Sequence, residues 1–262
     1  MKLLILLLVA VYVLICVLLF FFQEKLIFFP EKLGSQYKFD FGQPFEEIKI
    51  ETTDEKRLHG GLFLADSSKG LIFYLHGNAG SLATWGYAAK TYTDLGYDVF
   101  IVDYRGFGKS EGIITSQRQF YEDLQVAYDQ MKTRYPEEKI VILGYSIGTG
   151  PAAKIASLNK PKLLILQAPY FSMKNIMKRH YPIIPTFILK YKFETNEYIS
   201  TCRMPIVLIH GKEDEVIPYR SSLMLKEIMK KTDTVIILEG QSHNGMTDNP
   251  EYQREIKKLL IL

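Results

Sequence analysis

Lys139 to Ala153 reads K-I-V-I-L-G-Y-S-I-G-T-G-P-A-A, and the fold is decided by how this stretch is read. Ile140 to Leu143 is a run of large apolar residues with no polar face, the pattern of a strand buried on both sides. Gly144-Tyr145-Ser146-Ile147-Gly148 follows at once, and small residues suited to a helix start come next. Strand, sharp turn and helix with a serine at the apex hold that serine in a strained backbone conformation, its hydroxyl raised above the sheet. Gly144 and Gly148 suit places where strand and helix pass too closely for a side chain. G-x-S-x-G alone arises by chance. The apolar run before it, the Ala-rich segment after it and the partners found elsewhere in the chain give it weight.

Outward from this turn, strand and helix patterns alternate. Phe45 to Thr53 and Leu58 to Ala65 read as a hairpin, and Gly70 to Leu75 as a central strand. A helix is expected from Leu82 to Leu95, ending at Gly96, then a strand from Asp98 to Val102. Ser116 to Tyr135 reads as a long amphipathic helix with Phe120, Leu124, Ala127 and Met131 on one face. Leu163 to Leu166, Ile206 to Ile209 and Val235 to Leu238 read as strands, Ser221 to Lys230 and Pro250 to Leu262 as helices. A hairpin followed by such alternation implies an α/β fold with a mostly parallel sheet covered by helices on both faces.

A serine hydroxyl is a weak nucleophile until a base takes its proton, and the base needs a third group to orient it. On a parallel sheet such groups sit in loops beyond the carboxyl ends of strands. His243, in E-G-Q-S-H-N-G after the last strand, is the candidate base. His59 lies inside a strand, His76 and His210 each precede a glycine at a strand end where backbone bonding is the usual role, and His180 lies in an irregular insertion. Asp214, in H-G-K-E-D-E-V-I-P after a strand, is the candidate acid. Glu213 and Glu215 beside it, Asp103 and Asp248 are the alternatives. The chain order Ser146, Asp214, His243 suits nucleophile, acid and base. Donors for a developing oxyanion are expected from the backbone N–H of Ile147, behind the serine, and of Asn78 or Ala79 in the loop His76-Gly77-Asn78-Ala79-Gly80.

Composition narrows the rest. A net charge of +3 without a basic tract argues against a nucleic-acid partner. The two cysteines, Cys16 and Cys202, make no disulfide framework, and no His/Cys spacing suggests a metal. Leu3 to Phe22 carries no charge over a length of about 30 Å as a helix, the thickness of a bilayer core. A cleaved signal would have a shorter apolar stretch and a small-residue cleavage site, so a retained single-pass anchor over residues 1–24 is expected. Residues 25–44 read as a connector and 45–262 as the folded domain. Lysines on both sides of the apolar run leave the membrane side open, with a slight lean to a cytoplasmic domain.

L-H-G-N-A-G, D-Y-R-G-F-G-K-S-E-G (Asp103 to Gly112), G-Y-S-I-G-T-G and H-G-x-x-D-x-V-I-P together resemble the α/β-hydrolase superfamily. They are similar in particular to small, N-terminally membrane-anchored α/β-hydrolase-domain proteins, whose relatives include protein depalmitoylases. The apolar anchor followed by L-I-F-F-P adds to the likeness. The resemblance covers nearly everything after Phe45. It implies an eight-stranded, mostly parallel sheet, a Ser146–Asp214–His243 triad, oxyanion donors at Asn78 and Ile147, and no cofactor.

Residues 168–203 break the alternation, where such hydrolases carry a lid. Lys174, Lys178, Arg179, Lys190, Lys192 and Arg203 outnumber Glu194 and Glu197, and Tyr170, Phe171, Tyr181, Phe187, Tyr191 and Phe193 are interleaved with them. Such a segment suits an anionic membrane surface or the roof of an acyl pocket; equally, its aromatics can pack on the sheet with its lysines in water. Pro182 and Pro185 argue against one continuous helix. The expected function is a serine hydrolase acting on ester or thioester bonds of a small-molecule or lipid-like acyl substrate at a membrane. An amidase or peptidase on the same triad, and an anchored but catalytically silent interaction module, are the alternatives.

Overall fold

Long apolar runs and amphipathic repeats lay down the following order in a computed structural model that describes residues 1–261. The elements are α1 (Lys2–Ile27), β1 (Phe29–Pro30), β2 (Phe45–Glu51), β3 (Arg57–Phe63), β4 (Leu71–Leu75), β5 (Ala79–Gly80), α2 (Leu82–Trp85), α3 (Lys90–Thr93), β6 (Asp98–Asp103) and α4 (Gln117–Lys132). They continue as β7 (Ile140–Tyr145), α5 (Thr149–Leu158), β8 (Leu163–Gln167), α6 (Met173–His180), α7 (Thr195–Ile199), β9 (Ile206–Gly211), α8 (Arg220–Lys226), β10 (Thr234–Leu238) and α9 (Pro250–Ile261). The last position expected in the final helix, Leu262, lies outside the described residues.

Eight strands form one sheet in the order β10-β9-β8-β7-β4-β6-β3-β2. β3 is antiparallel to both its neighbours and every other pair is parallel. This is the α/β-hydrolase fold. Every residue of β4, β6, β7, β8 and β9 is buried, as their unbroken apolar runs require, whereas edge strands β2 and β10 are partly exposed. Alternate side chains of β4 feed two separate cores: Leu71, Phe73 and Leu75 meet α4 and α5, while Ile72 and Tyr74 meet α2, α3 and α9. Ser116 caps α4 by accepting from the Gln119 N–H, worth about 1 kcal/mol, and the expected face of Phe120, Leu124, Ala127 and Met131 is buried.

The continuous helix expected from Leu82 to Leu95 is not formed. It is divided into α2, a 3₁₀ turn over Gly86–Ala89, and α3. A Cβ on Gly86 would lie 2.4 Å from the Phe41 ring. The glycine admits that ring, and glycine in a helix interior costs about 1 kcal/mol relative to alanine.

The N-terminal helix α1 is long and apolar enough to cross a membrane. The segment after it is fastened to the domain. Phe29 and Pro30 pair in parallel with Ala79 and Gly80, Lys32 bridges to Gly108, and the buried Phe28 ring sits among Phe120, Tyr191 and Phe193.

Candidate active site

The turn after β7 is as tight as its glycines imply. Ser146 has φ +52°, a left-handed conformation that an L side chain adopts at a cost on the order of 1–3 kcal/mol. A Cβ on Gly144 would lie 2.5 Å from the Gly148 carbonyl oxygen, and one on Gly148 would lie 2.2 Å from that of Leu75. Both positions therefore exclude any side chain. β7 passes directly into a 3₁₀ turn over Ser146–Gly148 and then into α5.

Residues from two further strand ends converge on this serine. Asp214 follows β9 and His243 follows β10, and His243 Nδ1 lies 2.7 Å from Asp214 Oδ2 while its Nε2 lies 3.0 Å from Ser146 Oγ. The carboxylate can only accept, so Nδ1 carries the proton and the lone pair of Nε2 faces the serine hydroxyl. The other carboxylate oxygen of Asp214 accepts from the backbone N–H groups of Val216 (2.9 Å) and Ile217 (2.7 Å). Burial pushes the Asp214 carboxyl up, but hydrogen bonds from His210 and His243 outweigh it and hold the group well below the usual carboxylate range. Asp214 is thus a fixed anion behind the imidazole.

The other candidate acids fall elsewhere, as do His59 and His76, while His180, exposed at the end of α6, lines the cavity over Ser146. Glu213, Glu215 and Asp248 are exposed. Asp103 is buried and accepts from the Leu82 N–H at 2.7 Å. His59 is buried against Phe39 with Glu47 at 2.7 Å. His76 Nδ1 lies 2.7 Å from the Gly77 carbonyl oxygen, the backbone role expected at a strand end.

His210 does more than hold backbone. Its Nε2–H donates to the Ile217 carbonyl oxygen at 2.7 Å and lies 3.2 Å from Asp214 Oδ2, while Nδ1 accepts from the Ser222 hydroxyl at 2.7 Å. It therefore braces the acid, a role missed in reading the chain; its place four residues before Asp214 was the available signal. Tyr145 was also missed. Its hydroxyl donates to the His243 carbonyl oxygen and so fixes the loop that carries the imidazole.

Ser146, Ile147, Asn78 and His243 all line a cavity of about 880 Å³. Asn78 is held at its rim: its carbonyl oxygen accepts from the Phe29 N–H (2.8 Å) and its side-chain amide donates to the Ile27 carbonyl oxygen (3.0 Å). Residues 168–203 cover the site as α6, a 3₁₀ turn over Thr186–Ile188 and α7, with α6 ending before Pro182 as its prolines require. The aromatics of this insertion divide: Tyr170, Tyr191 and Phe193 are buried, while Tyr181 and Phe187 are exposed. Among the described residues there is no group of three or more His, Cys, Asp or Glu side chains arranged to hold a metal.

Comparison with known proteins follows the same lines. The family model described as serine aminopeptidase, S33 matches residues 66–196, which include Ser146 but end before Asp214 and His243. Alpha/beta hydrolase domain-containing protein 17C of Mus musculus is 30% identical over 222 residues, covering 82% of this chain and 67% of that protein. Alpha/beta hydrolase domain-containing protein 17B of Xenopus laevis is 30% identical over 200 residues, covering 74% of this chain and 67% of that protein. The chain thus spans about two thirds of the length of these relatives. Among solved structures, the Pyrococcus furiosus esterase Pf2001 superposes with a TM-score of 0.70 at 20% identity, over 90% of this chain and 97% of that one.

Proposed function

We propose a function from one premise: the chain belongs to the α/β-hydrolase family. Membership makes it a hydrolase by kind, and the finer reading is a serine hydrolase that cleaves carboxylic ester or thioester bonds of acyl substrates at a membrane. The observation that carries it is the relay in which Asp214 and His243 stand 2.7 Å apart and His243 and Ser146 3.0 Å apart.

In this reading Ser146 Oγ attacks the acyl carbonyl carbon as its proton passes to His243 Nε2. The carbonyl oxygen becomes an oxyanion, stabilised by the backbone N–H groups of Ile147 and Asn78; losing one such donor typically costs roughly 100- to 1000-fold. Collapse breaks the bond to the leaving alcohol or thiol, which takes the proton from Nε2 and leaves an acyl group on Oγ. Water then attacks the acyl carbon, giving its proton to Nε2, and the acid departs as Oγ recovers that proton. Asp214 remains ionised throughout and stabilises the imidazolium. The chain needs no cofactor for these steps. α1 anchors the enzyme in a bilayer in a single pass, with residues 25–44 as connector and 45–262 as the catalytic domain.

A fluorophosphonate probe should label Ser146 covalently, and Ser146→Ala should abolish labelling. A folded protein that resists the probe would sink the reading. The description of the matching family as serine aminopeptidase favours a second possibility, an amidase or peptidase on the same residues. Turnover of acyl esters and thioesters set against aminoacyl amides separates the two.

A further inference from the structure

One wall of the cavity over Ser146 belongs to the apolar N-terminal helix. Leu19, Gln23, Leu26 and Ile27 line it. These positions are i, i+4, i+7 and i+8, a single helix face turned to the site. Two polar side chains fix that face. Gln23, buried, donates to the Ile188 carbonyl oxygen at 3.0 Å and accepts from the Lys190 N–H at 2.8 Å. Glu24 accepts from Lys190 Nζ at 2.8 Å and from the Tyr191 hydroxyl at 3.0 Å. Further up the helix the Tyr12 hydroxyl donates to the Ile183 carbonyl oxygen at 2.7 Å.

That last contact sets a depth. Tyr12 precedes Gln23 by about 16 Å along the helix axis. When α1 spans a bilayer with Gln23, Glu24 and Lys25 toward the interface, the lid loop around Ile183 dips below the headgroups beside the helix. The side chains suit that place: Tyr181, Ile183 and Phe187 are 63%, 77% and 84% exposed, left uncovered among the described residues. Lys178 and Arg179, exposed in the last turn of α6, supply cations for headgroup phosphates.

We propose that α1 is a substrate-binding element as well as an anchor: a long acyl chain already dissolved in the leaflet slides into the slot between α1 and the lid, bringing its carbonyl to Ser146. The substrate class is therefore a membrane-resident long-chain acyl ester or thioester, and this rests on the serine-hydrolase reading above. The same slot leaves a short water-soluble ester free to reach the serine without touching Leu19 or Leu26.

The test uses the full chain in phosphatidylcholine vesicles. Wild type, Leu19→Trp, Leu26→Trp and, as a control on the exposed outer part of α1, Val9→Trp are assayed on p-nitrophenyl butanoate and hexadecanoate, with fluorophosphonate labelling as a check on the folded site. Filling the slot should lower the ratio of hexadecanoate to butanoate turnover roughly tenfold or more in Leu19→Trp and Leu26→Trp, with fluorophosphonate labelling retained and Val9→Trp keeping the wild-type ratio. If the variants label normally and keep the wild-type preference between the two esters, α1 is no substrate wall and this inference alone fails. If wild type itself neither labels nor turns over either ester, the serine-hydrolase reading fails and the inference falls with it.

Discussion

Two histidine–aspartate pairs sit in equivalent places on this sheet. Each pair straddles the carboxyl ends of two adjacent parallel strands: Asp214 and His243 follow β9 and β10, while His76 follows β4 and Asp103 ends β6. In the first pair the imidazole and carboxylate meet at 2.7 Å, and the acid also receives two backbone N–H groups and the bracing His210. In the second the nearest approach is 3.7 Å, and both His76 Nε2 and Asp103 Oδ2 have no hydrogen-bond partner among the described residues. His76 instead stacks on Tyr104, ring centroids 4.1 Å apart. The consequences for charge are opposite. Hydrogen bonds keep Asp214 ionised, whereas burial pushes Asp103 up to about 7 and His76 down to about 4. Residue type and strand position do not make a relay; one ångström of separation and the supply of donors to the carboxylate do.

Substitutions that treat the two pairs alike test this contrast. His243→Ala should cost on the order of 10⁶-fold in kcat, as loss of the base does in other serine relays, while His76→Phe, at a site without access to Ser146, should lower kcat by less than about tenfold. Steady-state turnover of one acyl ester measures both, and equal losses would erase the distinction. Asp214→Asn should lower kcat roughly 10⁴-fold by leaving the imidazole in the wrong tautomer; Asp103→Asn should spare kcat.

The second pair should declare itself in stability. The folded Asp103 carboxyl sits above its ordinary 3.8, so its contribution favours folding at low pH and is lost as pH rises through about 7. Denaturant unfolding of Asp103→Asn against wild type should therefore show the variant gaining, by up to about 4 kcal/mol, between pH 4 and pH 8. His76 has the opposite sign. With its folded value near 4, below the ordinary 6.5, its contribution is complete above pH 6.5 and lost as pH falls. An Asp103→Asn advantage that does not change with pH would mean that folding leaves the carboxyl at its ordinary value. Between the two pairs stands the brace: His210→Asn should lower kcat roughly tenfold with KM unchanged, since it acts through Asp214 and touches no substrate.

Much of this was legible in the chain because it is written locally. Glycines four apart around Ser146, with the apolar run before them, specify an elbow through sterics alone, and the Cβ positions that Gly144 and Gly148 cannot accept are the physical content of that pattern. Asp214 and His243 could be named as candidates because groups that act on substrates gather in loops after the strands of a parallel sheet. The brace at His210 was not visible, since H-G at a strand end reads as a backbone contact and its reach to Asp214 depends on how the loop folds back. The turn at Gly86 was hidden for a similar reason: the ring that this glycine admits, Phe41, belongs to a separate segment of the chain. A polar hint in the N-terminal segment was Gln23, following three phenylalanines and buried in the structure.

The sequence by itself determined the strand runs, the strained serine turn and a helix long and apolar enough for a bilayer, because each depends on neighbours within a few residues. Tertiary structure alone decided which histidine met which carboxylate, and that the N-terminal helix closes the side of the cavity over Ser146. Those outcomes turn on distances between segments 29 residues apart for His243 and Asp214 and 165 apart for Gln23 and Ile188, and period and composition carry no record of such distances.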